Sequence, residues 1–172
     1  TDVSGCLMAD PRIVENPRPI RTVTYRELRE LSYMGASVLH EEAIFPVRAA
    51  GIPINIRNTN DADAPGTMIV AGTSEYDAKT VITGIAGKKG FSVISVEKDL
   101  MNSEIGFARK MLDVLEDNGI SFEHLPSGVD TMSVIVASNE LEGRREKLIA
   151  SINRACRPDS IVCEDGLALL AV

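Results

Sequence analysis

The first dozen residues, Thr1-Asp2-Val3-Ser4-Gly5-Cys6-Leu7-Met8-Ala9-Asp10-Pro11-Arg12, gather groups suited to holding a nucleotide. Asp2 and Asp10 offer carboxylate oxygens that accept hydrogen bonds from a ribose or a base. Arg12 is a permanent cation suited to a polyphosphate. Gly5 permits close backbone approach, and Asp10-Pro11 sets a turn. Alone, Asp-Pro-Arg in a loop is more often a turn with a solvated arginine. The whole string reverses that weighting.

The rest of the chain must position these groups. Its 172 residues allow one large domain or two small ones. A composition break falls near Pro65-Gly66: every basic residue before Lys79 is arginine, whereas both types follow it, and residues 58–66 are polar and turn-rich. Before the break, Thr24 and Glu27 make a capping box for a helix over Tyr25 to Met34, with Leu28 and Leu31 on one face and Gly35 as its stop. A second helix is expected from near Ser37, carrying Val38, Leu39, Ala43 and Val47, kinked by Pro46 and stopped by Gly51. Ile52 to Arg57 alternates as a half-buried strand.

After the break, strands are expected at Met68 to Ala71, Thr80 to Ile85, Phe91 to Glu97, Ile120 to Leu125, Thr131 to Ala137 and Ile161 to Cys163, with another beginning at Leu167. One helix is expected to be capped by Ser103, with Ile105, Ala108, Leu112 and Leu115 on a shared face, and to end at Asn118-Gly119. Another runs from about Glu140 to Cys156 and buries Leu141, Leu148, Ile149 and Ile152. From Phe91 the order is βαββαβ, the ferredoxin-like arrangement of an α/β (α+β) fold.

Composition excludes several function classes. A net charge of −7 argues against nucleic-acid and anionic-membrane partners. Three tyrosines, four phenylalanines and no tryptophan make a base-stacking surface a poor fit. Three cysteines (Cys6, Cys156, Cys163) and two histidines (His40, His124) form no metal-ligand cluster, and the odd, sparse cysteine count fits a reducing cytoplasm. Gly84 to Gly90 lacks the Gly-Lys-Ser/Thr ending of a phosphate loop and reads as a β-turn with a basic tip. Nothing in the spacing of His124 and Cys163 makes them a thiol–imidazole pair.

The opening string resembles the nucleotide-binding segment of the aspartokinase family, and the resemblance extends over essentially the whole chain. Thr1-Asp2 and Asp10-Pro11-Arg12 match the family's Thr-Asp and Asp-Pro-Arg. Leu31 to His40 resembles its Gly-Ala-Lys-Val-Leu-His segment, with Ser37 in place of the usual lysine; Leu7 stands where many members carry tyrosine. Pro53 to Arg57 and Pro65 to Ile69 resemble the exit from the catalytic domain. The resemblance implies a nucleotide site that includes Thr1, Asp2, Arg12, Ser37 and Val38, with ATP and Mg²⁺ as the substrate complex. It also implies a chain cut from a longer enzyme, lacking the N-terminal catalytic motifs and inactive alone.

The second part resembles the family's first ACT domain, a module that binds free amino acids at subunit interfaces. On that resemblance the effector-binding residues are Met101, Ser103, Gly106, Phe107, Ala108, Ser121 and Glu123. The chemistry agrees: amides at a helix N-terminus favour a carboxylate, and Gly106 lets a ligand approach the backbone. Ser127 to Asp130 supplies another carboxylate. Acidic residues including Glu104 suit the second ammonium of lysine, with threonine as co-effector or substitute. Glu164 to Val172 resembles the opening strand of a second ACT domain.

The expected organisation is therefore 1–66 as the end of an amino-acid-kinase domain, 67–166 as an ACT-type domain and 167–172 as the truncated start of another. The implied activity is a cytoplasmic aspartate kinase acting on ATP and L-aspartate in amino-acid biosynthesis, homodimeric through its ACT domains. The competing class is a non-catalytic amino-acid-sensing subunit.

Overall fold

In the computed structural model, which describes residues 1–35, 41–72 and 81–172 (41–43 by backbone alone), the capping box at Thr24 is formed. The Glu27 N–H donates to Thr24 Oγ1 at 3.2 Å, and the Thr24 N–H donates to Glu27 Oε2 at 2.8 Å. Thr83 Oγ1 donates to the other Glu27 oxygen at 2.7 Å. Burial alone would raise the Glu27 carboxyl's pKa, but these bonds outweigh it and hold the group below its usual range. Helix α1 (Tyr25–Tyr33) follows and buries Tyr25, Leu28 and Leu31.

Those side chains pack on a small sheet. Strand β1 (Thr22–Thr24) runs parallel to β3 (Thr67–Val70), and β2 (Ile54–Ile56) pairs with β3 on its other side, antiparallel. Val23, Ile56 and Ile69 meet the α1 residues in one core. Helix α2 (Glu41–Ala49) carries Pro46 within it, and the Tyr25 hydroxyl donates to Ile52 O just beyond. The expected start of this helix near Ser37, with Val38 and Leu39, lies outside the described residues, as does Thr80.

Because β3 sits between β1 and β2, residues 67–70 complete the first sheet and do not open a second unit. Contacts divide the chain into Thr1–Lys88 with Leu169–Val172, and Lys89–Ala168, so the division falls after Lys88 and not at Pro65-Gly66. The polar 58–66 stretch is a loop between paired strands. Arg57 closes it by donating to the carbonyls of Ala62 and Ala64.

Thr67 anchors the N-terminal segment to this sheet. It is fully buried; its hydroxyl accepts from the Cys6 N–H at 2.7 Å and donates to Ile20 O at 2.6 Å. Thr67→Val keeps the shape and strands both backbone groups. We expect a loss of about 2 kcal/mol, the cost of leaving buried polar groups unpaired, read as a lowered urea midpoint. Thr67→Ser, which keeps the hydroxyl, should recover most of it.

Three sequence expectations fail here for one reason: their partners lie far away in the chain. Val81 to Ile85 forms no strand, because the Ile85 N–H is taken by Met8 O at 2.6 Å and Gly84 abuts Leu31. Gly87-Lys88-Lys89-Gly90 is not a turn but the start of β4 (Ala86–Glu97), with Gly87 against Leu169 and Leu170. Leu167 to Ala171 is not a separate strand but the end of β6 (Ser160–Ala171), which runs through Gly166.

The second sheet has the order β5-β4-β6. Strand β5 (Thr131–Ala137) lies antiparallel to β4, from Phe91 opposite Ala137 to Glu97 opposite Thr131. Helices α3 (Phe107–Asp117) and α4 (Arg145–Cys156) contact each other and cover Ile94, Val96, Val134 and Val136 with Met111, Leu115, Leu148 and Ile152. The expected strand at Ile120 to Leu125 is reduced to an isolated bridge, His124 opposite Ile135. Pro126 has no N–H with which to extend the ladder. This segment still runs beside β5, so the βαββαβ order holds.

Both helices start later than the sequence pattern implies. Ser103 does not cap α3; its hydroxyl donates to Asn102, and Gly106, left-handed at φ +83°, precedes the helix with no capping side chain. The buried face is accordingly Phe107, Met111, Val114 and Leu115, while Ile105 is 99% exposed and Ala108 is also exposed. A 3-10 turn at Ser138–Leu141 and the left-handed Gly143 delay α4.

Candidate functional site

The N-terminal string is pinned to the first sheet at several points. The Ile20 N–H donates to Cys6 O and the Met8 N–H to Arg18 O, each at 2.8 Å. Thr1 is held through its carbonyl, which accepts from the Thr59 N–H at 2.8 Å and the Thr59 hydroxyl at 3.0 Å. Its own hydroxyl donates to Asp2 at 3.3 Å. Thr1 and Asp2 thus form one exposed polar pair.

Asp10 and Arg12 form another. Arg12 Nε and Nη2 donate to the Asp10 carboxylate at 3.0 and 2.6 Å, and the Arg12 N–H adds a third bond at 2.8 Å. The Arg12 side chain, then its backbone N–H, hold the Asp10 carboxyl down at about 2. The carboxylate raises the Arg12 guanidinium in return. Asp10 is therefore not an open acceptor for a ribose or base, as its residue type alone implies. It orients Arg12 through Nε and Nη2, while the Arg12 side chain stays 85% exposed. Among the described residues the two pairs share no hydrogen bond. Ser37 and Val38 lie outside the described residues.

The second candidate group gathers on the turn before α3. Ser103, Gly106 and Ala108 are exposed, whereas Met101 and Phe107 are 5% and 3% exposed and sit in the core. Those two can present only backbone to a ligand. Ser121 is exposed and Glu123 half-buried, on the segment beside β5, where the Glu123 N–H donates to Ile135 O at 2.8 Å. Ile120, next to Ser121, packs in the same core as Met101 and Phe107, which brings the two segments together.

Glu104 departs from its expected role. Its carboxylate is taken by Lys110 at 2.6 Å and Lys98 at 2.5 Å. Lys110, then Lys98, hold it below its ordinary range. The resulting stability is present above the unfolded carboxyl's pKa and is lost as pH falls through the lower folded value. Glu104 is thus not a solvated dipole partner: each of its oxygens is already paired with a lysine. Lys98, Lys110 and Thr67 escape sequence reading: Glu104 and Lys110 are six apart across a turn, outside the i,i+4 spacing that flags helical pairs.

The three cysteines are free thiols. Burial pushes Cys6, Cys156 and Cys163 up, opposite to the shift a nucleophile needs. Among the described residues, no group of three His, Cys, Asp or Glu side chains is placed to hold a metal ion. No described helix is long and apolar enough to cross a membrane.

Comparison with known proteins sets the class first: residues 1–58 match the amino acid kinase family. Aspartokinase 3 of Bacillus subtilis is 43% identical over the whole chain, which spans 38% of that protein's length. The crystal structure of Clostridium acetobutylicum aspartate kinase, an allosteric enzyme, is 58% identical and superimposes with a TM-score of 0.89 over 99% of this chain and 39% of that one. Escherichia coli aspartokinase III, in complex with lysine and aspartate, shares the fold over 99% of this chain and 37% of that one (TM-score 0.74, 22% identity). The chain belongs to the aspartokinase family. It spans about two-fifths of the length of these relatives.

Proposed function

We propose that the complete protein transfers the γ-phosphoryl group of MgATP to the β-carboxylate of L-aspartate, yielding ADP and 4-phospho-L-aspartate. The observation that carries this reading is the 43% identity to Bacillus subtilis aspartokinase 3 over an alignment that spans the whole chain, with residues 1–58 matching the amino acid kinase family as well. Phosphoryl transfer rests on positioning and on neutralising phosphate charge. In this reading Asp10 holds the Arg12 guanidinium toward the polyphosphate, and Thr1 and Asp2 contact the nucleoside. The family resemblance adds Ser37 and Val38 to the nucleotide-binding residues.

The second unit (Lys89–Ala168) is read as an ACT-type regulatory domain that pairs two subunits and takes a free amino acid, lysine first and threonine second. The ligand's carboxylate would meet the amides at the start of α3 near Ser103, Gly106 and Ala108. Its amino groups would face Ser121 and Glu123. Support comes from the glycine-led start of α3, which carries no capping side chain, and from the shared fold of aspartokinase III, whose structure contains lysine and aspartate. A preference for one of two arrangements then supplies coupling of ~1–3 kcal/mol between the sites. The cytoplasm is the expected compartment.

The test uses the complete protein. ADP formation from MgATP is expected only with L-aspartate present, and calorimetry with lysine, threonine and methionine is expected to show lysine binding most tightly. Amino-acid binding without aspartate-dependent ADP formation would make the protein a sensing subunit. Aspartate-dependent turnover without lysine binding would overturn the effector assignment.

A further inference from the structure

The turn between β4 and α3 has features of a loose connection. Leu100 is left-handed at φ +59°, Gly106 at φ +83°, and Leu100 and Ile105 are 72% and 99% exposed. Nevertheless a single carboxylate ties it to three elements. Glu104 Oε2 meets Lys98 Nζ, immediately beyond β4, at 2.5 Å, and Oε1 meets Lys110 Nζ, in the first turn of α3, at 2.6 Å. Lys98 Nζ also donates to the carbonyl of Cys156, the last residue of α4, at 2.9 Å and lies 5.7 Å from the centre of the Phe107 ring. The three charged side chains are 21%, 24% and 39% exposed, so this clamp is less screened than an ordinary surface pair.

We infer that Glu104 is a positioning residue for the amino-acid effector, fixing the Met101–Gly106 turn to β4, α3 and α4 so that the backbone around Ser103, Gly106 and Ala108 is preorganised. The inference rests on the effector reading given above for the same turn. It adds that Glu104 acts through the turn and not through contact with the ligand: each of its carboxylate oxygens already meets a lysine. Glu104 therefore acts on all amino-acid effectors alike. A binding loop held in place before the ligand arrives spares the ligand the ordering cost.

Two substitutions that break the clamp with opposite changes of charge provide the test. Glu104→Gln makes the site more positive, and Lys110→Met makes it more negative. In the complete protein, each is expected to weaken lysine and threonine alike by about tenfold in calorimetry, the double variant adding little because both act on one network. Amide hydrogen exchange across residues 101–107 should quicken in both variants. A purely electrostatic role would move the two affinities in opposite directions, and a purely structural one would lower the urea midpoint with affinities unchanged; either result overturns the inference. If the unaltered protein binds no amino acid, the effector reading falls by itself. Exchange then decides positioning: unchanged protection in both variants would refute the clamp.

Discussion

Gly66→Ala is expected to destabilise the first unit by about 2–5 kcal/mol, summing a left-handed penalty of about 1–2 with an overpacking cost of about 1–3. Gly66 adopts φ +72°, and a Cβ there would lie 1.9 Å from Ile56 O and 3.0 Å from Ile56 C. Both are backbone atoms of β2, which is paired to β3, so neither can swing aside as a side-chain tip would. Gly51 is the control. It has φ +67° but nothing within 4 Å of its Cβ position, so Gly51→Ala should cost only the conformational part, about 1–2 kcal/mol. Urea unfolding of both variants separates the terms. Equal losses would mean that the passage from the 58–66 loop into β3 is not the tight crossing described.

The first sheet shows why that crossing was hard to foresee. The capping box, Leu28 and Leu31, and the alternation before Arg57 are local signals, and each produced the element it pointed to. Pro65-Gly66 was equally visible, but as punctuation. Only the pairing of β3 between β1 and β2 reveals it as a turn within one sheet and not a boundary, and strand pairing is not written in a local pattern. The same holds for Gly87 to Gly90, whose partner strand lies some eighty residues on, beside Leu169 and Leu170.

The candidate sites divide in a similar way. Residue types located both groups, since charged and small residues clustered in short runs are readable in order along the chain. What they do to one another was not. Asp10 looked like an acceptor for a nucleotide and is instead the partner that orients Arg12; Glu104 looked like an acidic complement and is instead occupied by two lysines. Met101 and Phe107 matched a binding segment by position, yet the late start of α3 turns their side chains into the core.

Arg12→Ala carries the largest functional expectation. In the complete protein it should lower kcat/KM for ATP by about a hundredfold, the usual weight of a charge-assisted contact to phosphate. Asp10→Asn keeps the cation but loosens its orientation, so about tenfold is expected, and Arg12→Lys should fall between, because an ammonium cannot reproduce the fork that Nε and Nη2 present to Asp10. The exposure of Arg12 makes the result interpretable: with no packing role, its removal should leave the urea midpoint where it was. The pair also sets a pH expectation. With Asp10 held down at about 2 and Arg12 raised, neither titrates between pH 5 and 9, so the ratio of variant to unaltered kcat/KM should stay flat across that range. An Arg12→Ala protein with undiminished kcat/KM for ATP would return Asp10-Pro11-Arg12 to a solvated turn, and a ratio that changes across that range would assign the loss to some other titrating group.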